Sequence, residues 1–156
     1  MKPRITAAAG LVSAVVVVGV MALVAGGTGS AQITHTCSPV DRQFIDVAQL
    51  NMASLSSAAE DFLHGSSKAD AVIDTAGTAL QNVSGTHPED PSLAKTRAIL
   101  SAMFLEYGKA IRADAKHRDP GKYIYRAYGL ANFAHDVLAQ AQQPLKQRGC
   151  DVSPLL

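Results

Sequence analysis

Three times in this chain a helix-capping residue and a proline stand directly ahead of a helical apolar period: Ser38-Pro39, Asp90-Pro91 and Asp119-Pro120. A helix start leaves backbone N–H groups unpaired, and a Ser or Asp side chain can accept from them. Proline has no N–H to lose, and its φ is already helical. Each pair therefore marks where a helix can begin. Gly65, Gly85 and Gly149 mark matching ends.

Apolar residues recur every three or four positions between these marks, and no segment alternates convincingly as a strand. In the first helix Asp41 is placed to reach back to Ser38 in a capping box. Its apolar face is Phe44, Val47, Ala48, Met52, Leu55, Ala59 and Phe62. The second helix is expected from Ser67, with Asp70 completing another box, and a face of Ala69, Val72, Ile73, Ala76, Leu80 and Val83. The third carries Leu93, Leu100, Met103, Phe104, Tyr107 and Ile111 and runs to about His117. The fourth carries Ile124, Ala127, Ala131, Leu138 and Leu145. Pro144 should kink or fray its last turn.

Four helices with short connections predict an all-α, up-down-up-down four-helix bundle. That topology puts the start of the first helix and the end of the fourth at the same end. Cys37 lies just before the first, Cys150 just after the fourth, and the chain has no other cysteine. The topology thus predicts one Cys37–Cys150 disulfide. A bridge closing so long a loop contributes about 4.7 kcal/mol in the chain-entropy view. That is a large share of a stability of about 5–15 kcal/mol. It matters more where many core positions are Ala, which bury little apolar area each.

The disulfide requires an oxidising compartment, and the N-terminus supplies the route. Lys2 and Arg4 precede an uncharged run from Ile5 to Gly27, and Gly29-Ser30-Ala31 follows with small side chains. This is the pattern of a secretory signal over residues 1–31, cut before Gln32. The run is also long enough to stay in the bilayer as a signal anchor, with membrane attachment through residues 5–27. Both readings put Lys2 and Arg4 in the cytoplasm and residues 32–156 outside as an exported domain, secreted or held on the outer face of the membrane.

Without residues 1–31 the net charge changes from +1 to −1, and the remainder is unevenly divided. Residues 32–90 carry −6 and residues 91–156 carry +5. Packing of an acidic hairpin beside a basic one would account for the split. The alternative is an anion-binding surface around the turn between the third and fourth helices. Arg112, Lys116, Arg118, Lys122, Tyr123 and Arg126 are the candidate contact residues, because Tyr and Arg are enriched at interfaces. Its partner would be a protein or an anionic envelope component. A balance so near neutrality gives no reason to expect nucleic acid.

The chain contains no HExxH, CxxC, GxSxG, GxxxxGK[ST] or GxGxxG. Ser92-Leu93-Ala94-Lys95 spells S-x-x-K in a chain with no KTG, so Ser92 reads as a first-turn helix residue. His117-Arg118-Asp119 spells a kinase triplet without the other kinase parts, and Asp119 reads as a cap. Asn82-Val83-Ser84 is a glycosylation sequon by spelling. Glu60, Asp61 and His64 share a helix surface, but a di-metal bundle needs such a set on two helices plus further Glu residues. No catalytic set, metal site or cofactor is expected.

A signal segment, an early Cys, an Ala-rich helical body and a late Cys together resemble the small exported helical proteins of actinobacteria. The mycobacterial haemophore-like proteins share this layout. That likeness implies haem bound through Tyr and His. Here the end of the first helix reads Asp61-Phe62-Leu63-His64, with Phe62 where the Tyr ligand would stand, and the cysteine spacing is longer. The function expected is an exported, non-enzymatic binding module of the cell envelope. The alternative is a small-ligand carrier, for haem or lipid, using a cavity between Ala-rich helix faces. An enzyme would need convergent ionisable groups inside the bundle, and no obvious set exists.

Overall fold

A computed structural model describes residues 36–156. The expected signal or anchor over residues 1–31, the apolar run 5–27 and the cut before Gln32 lie outside the described residues. Four helices follow in order: α1 Pro39–Leu63, α2 Ala69–Ser84, α3 Pro91–Ala115 and α4 Gly121–Gln147. A single 3-10 turn, Ser153–Leu155, closes the chain. The fold is all-α, a four-helix bundle. Each helix packs on the next in sequence, and α3, flanked by α2 and α4, is the most enclosed. Along their lengths α1 and α4 touch little.

The core explains this order. Phe44, Leu93, Phe104, Leu138 and Leu145 are fully buried, each worth roughly 1.5–3 kcal/mol of transfer free energy. Ala48, Ala76, Ala79, Ala127 and Ala134 are also buried, and their short side chains let the helices come close. Gly108 on α3 faces Ala76 on α2, where an added Cβ would come to van der Waals contact with the alanine methyl. No described helix is long and apolar enough to cross a membrane.

The helix starts show which sequence signals act as expected. Ser38 Oγ accepts from the Asp41 N–H at 3.2 Å. Asp90 Oδ1 accepts from the Ser92 and Leu93 N–H groups at 2.8 and 3.1 Å. Asp119 acts one residue early. Pro120 takes the N-cap position, and Asp119 Oδ1 accepts from the Gly121 N–H at 2.8 Å. Gly65 and Gly149 end α1 and α4 with φ of 72° and 78°. The bond from Cys150 N–H to the Leu145 carbonyl completes the second of these ends.

Three expectations need correction. Asp41 does not close a capping box. Its carboxylate instead accepts from the Glu89 and Asp90 N–H groups at 2.8 and 3.0 Å, across the molecule. Ser67 does not cap α2. Lys68 takes that position without a side-chain cap bond, and Ser67 Oγ is buried with no partner. The third helix stops at Ala115, because Arg118 N–H turns back to the Ala113 carbonyl while His117 adopts φ 54°. Pro144 lies inside α4, three residues before its end at Gln147.

Candidate functional site

The start of α1 and the end of α4 meet as the topology requires. Cys37 and Cys150 form a disulfide, with Cα atoms 4.8 Å apart. Around it the α2–α3 loop is drawn in by Asp41, and Arg148 pairs with Asp90. Burial alone would raise the Asp90 carboxyl. Bonds from Arg148 and from the Leu93 and Ser92 amides outweigh it and hold the group below its ordinary range. Val152 and Leu155 of the tail are buried here. This end is a structural lock, with Asp41 and Asp90 buried in it.

The outer face of α3 and α4 is built differently. Ala102, Leu105 and Glu106 of α3 face Tyr125, Arg126, Gly129, Leu130 and Phe133 of α4 across an open groove of about 450 Å³. Leu105, Phe133 and Tyr125 are exposed, Tyr125 to 80%. Burying such side chains is what stabilises bundles, so three of them facing solvent along one groove need a reason. Gly129 sits at its floor, where an added Cβ would meet nothing within 4 Å. The fold therefore does not require a glycine there.

Cations frame the groove. At one end the Lys95 ammonium lies 4.8 Å from the centre of the Phe133 ring. Towards the other, Glu106 binds Lys109 at 2.6 Å, and Arg126 approaches its second oxygen at 3.8 Å. That oxygen, Oε2, is buried and has no hydrogen-bond partner. Beyond Glu106 lie Arg112, Lys116, Arg118 and Lys122, all exposed and without ion pairs among the described residues. Lys122 lies 4.7 Å from the half-buried Tyr123 ring.

Of the six expected contact residues, Arg126 lines the groove, and the others cluster at its α3–α4 turn end. Sequence reasoning missed the groove itself. Leu105, Tyr125 and Phe133 lie off the core stripes of their helices. The signal was a second apolar line on each: Ala98, Ala102 and Leu105 on α3, and Tyr125, Gly129 and Phe133 on α4. Tyr107 points the other way. It is half-buried against the core, and burial pushes its hydroxyl up to about 12.

The expected pairing of an acidic with a basic hairpin is not made by ion pairs. Among the described residues only Asp90–Arg148 links residues before 91 to residues after it. Glu60, Asp61 and His64 are exposed, and Asp61 accepts from Ser66 Oγ. Phe62 is half-buried against the core. Asn82 of the sequon donates to Asn51 Oδ1 at 3.0 Å and links α2 to α1. No group of three or more potential metal ligands occurs among the described residues.

No protein-family model, curated protein or solved structure matches this chain. The reading of its function therefore rests on the groove and its rim.

Proposed function

We propose that this protein is an exported, non-enzymatic interaction module of the cell envelope that docks an anionic partner on its α3–α4 face. The observation that carries the reading is the groove of exposed Leu105, Tyr125 and Phe133, flanked at its α3–α4 turn end by Arg112, Lys116, Arg118 and Lys122, which make no ion pair among the described residues. An apolar centre inside a charged rim is how docking surfaces are composed. The rim steers an anionic partner in, and the aromatics supply contact area once water is displaced. Export is supported by the basic-then-apolar start of the chain and by a disulfide suited to an oxidising compartment.

The test is photocrosslinking in the producing cell. A benzophenone side chain replaces Tyr125 in one strain and exposed Asp74 of α2 in another. The expected result is a discrete adduct from position 125 and none from position 74. Combined reversal of Arg112, Lys116, Lys122 and Arg126 to Glu should abolish it while the disulfide-bonded protein still accumulates. Equal adducts from both positions, or none from 125, would overturn the reading. If the reversed protein fails to fold, the rim is structural and the reading fails as well.

A further inference from the structure

The basic α3–α4 face has an acidic counterpart on the same molecule. Asp46, Leu50, Ala53, Ser57 and the pair Glu60-Asp61 recur three or four apart on α1, and all are exposed. Leu50 is 67% exposed in the middle of this line. The two faces do not satisfy each other within one molecule, since the ion pair that joins the chain's halves lies at the disulfide end. The exported part is also close to neutral overall. Copies of it repel one another weakly while carrying opposite charge on separate faces.

The faces match in length and order. At 1.5 Å per residue, Lys95 to Lys109 spans roughly 21 Å, and Asp46 to Glu60 spans the same. Setting Asp46 level with Lys95 brings Leu50 within one residue of Ala98 and Ala53 level with Ala102, opposite Gly129. The same register sets Ser57 level with Glu106, whose carboxylate is already ion-paired to Lys109 and Arg126. It brings Glu60 and Asp61 to Lys109, beside Lys122 and Arg126. Reversing α1 would leave the acid pair with Lys95 alone and put Asp46 where the cations are densest. Charge therefore sets the direction: α1 of the incoming molecule runs parallel to α3.

We infer that the anionic partner of the α3–α4 groove is a second copy of this chain, presenting the acidic face of α1. The inference rests on the α3–α4 face being a docking surface. Because the two contacting surfaces differ, the contact is head-to-tail and leaves a free groove and a free α1 on each pair. Association can then continue into longer chains or close into a ring.

Sedimentation of protein purified from the envelope or medium, with its disulfide intact, tests this. The average mass should rise beyond the dimer with concentration in about 0.05 M salt and fall back towards the monomer in about 0.5 M. Leu50→Glu spoils α1 and keeps the groove. Phe133→Glu spoils the groove and keeps α1. Each variant alone should remain monomeric at concentrations where the parent associates, a weakening of about tenfold or more. Mixed together, they should form one-to-one pairs that grow no further. A parent protein monomeric at every concentration overturns the inference, as does a mixture that fails to pair while the parent associates. A monomeric parent that binds phosphatidylglycerol vesicles through the Arg112–Arg126 rim also overturns the second-copy assignment and leaves the docking face standing. Failure of the docking face itself is read separately, as loss of the position-125 crosslink in cells.

Discussion

The two ends of the bundle solve opposite problems. At the disulfide end, the carboxylates of Asp41 and Asp90 turn inward. Asp41 satisfies two loop amides, Asp90 caps α3 and holds Arg148, and the tail buries Val152 and Leu155. At the other end the turns at 64–68 and 116–120 carry no tie of this kind. Lys68 starts α2 without a cap bond, Ser67 Oγ is left over, and Lys116 and Arg118 face solvent. Charge placed inward specifies the fold. Charge placed outward, next to an apolar groove, is available to a partner. One end thus holds the chain together, while the exposed groove lies on the outer face of α3 and α4.

The largest way to break this contrast is to remove the lock. Replacing both Cys37 and Cys150 by Ser should cost about 3–5 kcal/mol in urea unfolding, because the bridge closes nearly the whole described chain. Asp41→Ala comes next, at about 2 kcal/mol, since it strands the Glu89 and Asp90 amides in a buried site. An Asp41 variant as stable as the parent would show that the loop is held by other contacts.

Asp90 sharpens the comparison through pH. Its carboxyl is held below the unfolded-state value, so its stabilisation is present above about pH 4 and is lost as pH falls through the folded value. Asp90→Asn should flatten the acid limb of the stability profile. Tyr107 should act at the opposite extreme. Its hydroxyl is raised from 10 to about 12, so the unfolded chain ionises first and stability falls as pH rises between those values. Tyr107→Phe should remove that alkaline loss. The smallest effect on stability belongs to the proposed docking face. Reversing Arg112, Lys116 and Lys122 to Glu should shift unfolding by less than about 0.5 kcal/mol per site. A larger cost would mean that the rim supports the fold.

What was legible in the sequence was local or topological. Ser38, Asp90 and Asp119 stand beside prolines, and a cap needs only its own next few amides to work. The Cys37–Cys150 bond followed from counting helices, because an even number of antiparallel helices returns the chain to its starting end. Asp41 was misread because its spacing from Ser38 fits a local box, while the stronger demand came from two amides almost fifty residues away. No local pattern announces that demand. Ser67 failed for a related reason: it has cap chemistry, but the turn after Gly65 puts Lys68 at the helix start. The groove was hidden because a helix in a bundle is read by its buried stripe. Leu105 and Phe133 become informative only when a second apolar line is sought outside that stripe.

Residue-resolved amide hydrogen exchange on the oxidised, monomeric protein tests the central contrast most directly. Amides near the disulfide end, at Ile45, Thr96, Leu145 and Cys150, should exchange only through global unfolding. Those flanking the open turns, around Ala69 and Ile111, should exchange through local openings of much lower free energy. Equal protection at both ends, or slower exchange around the open turns, would contradict the account of a bundle locked at one end and left free at the other.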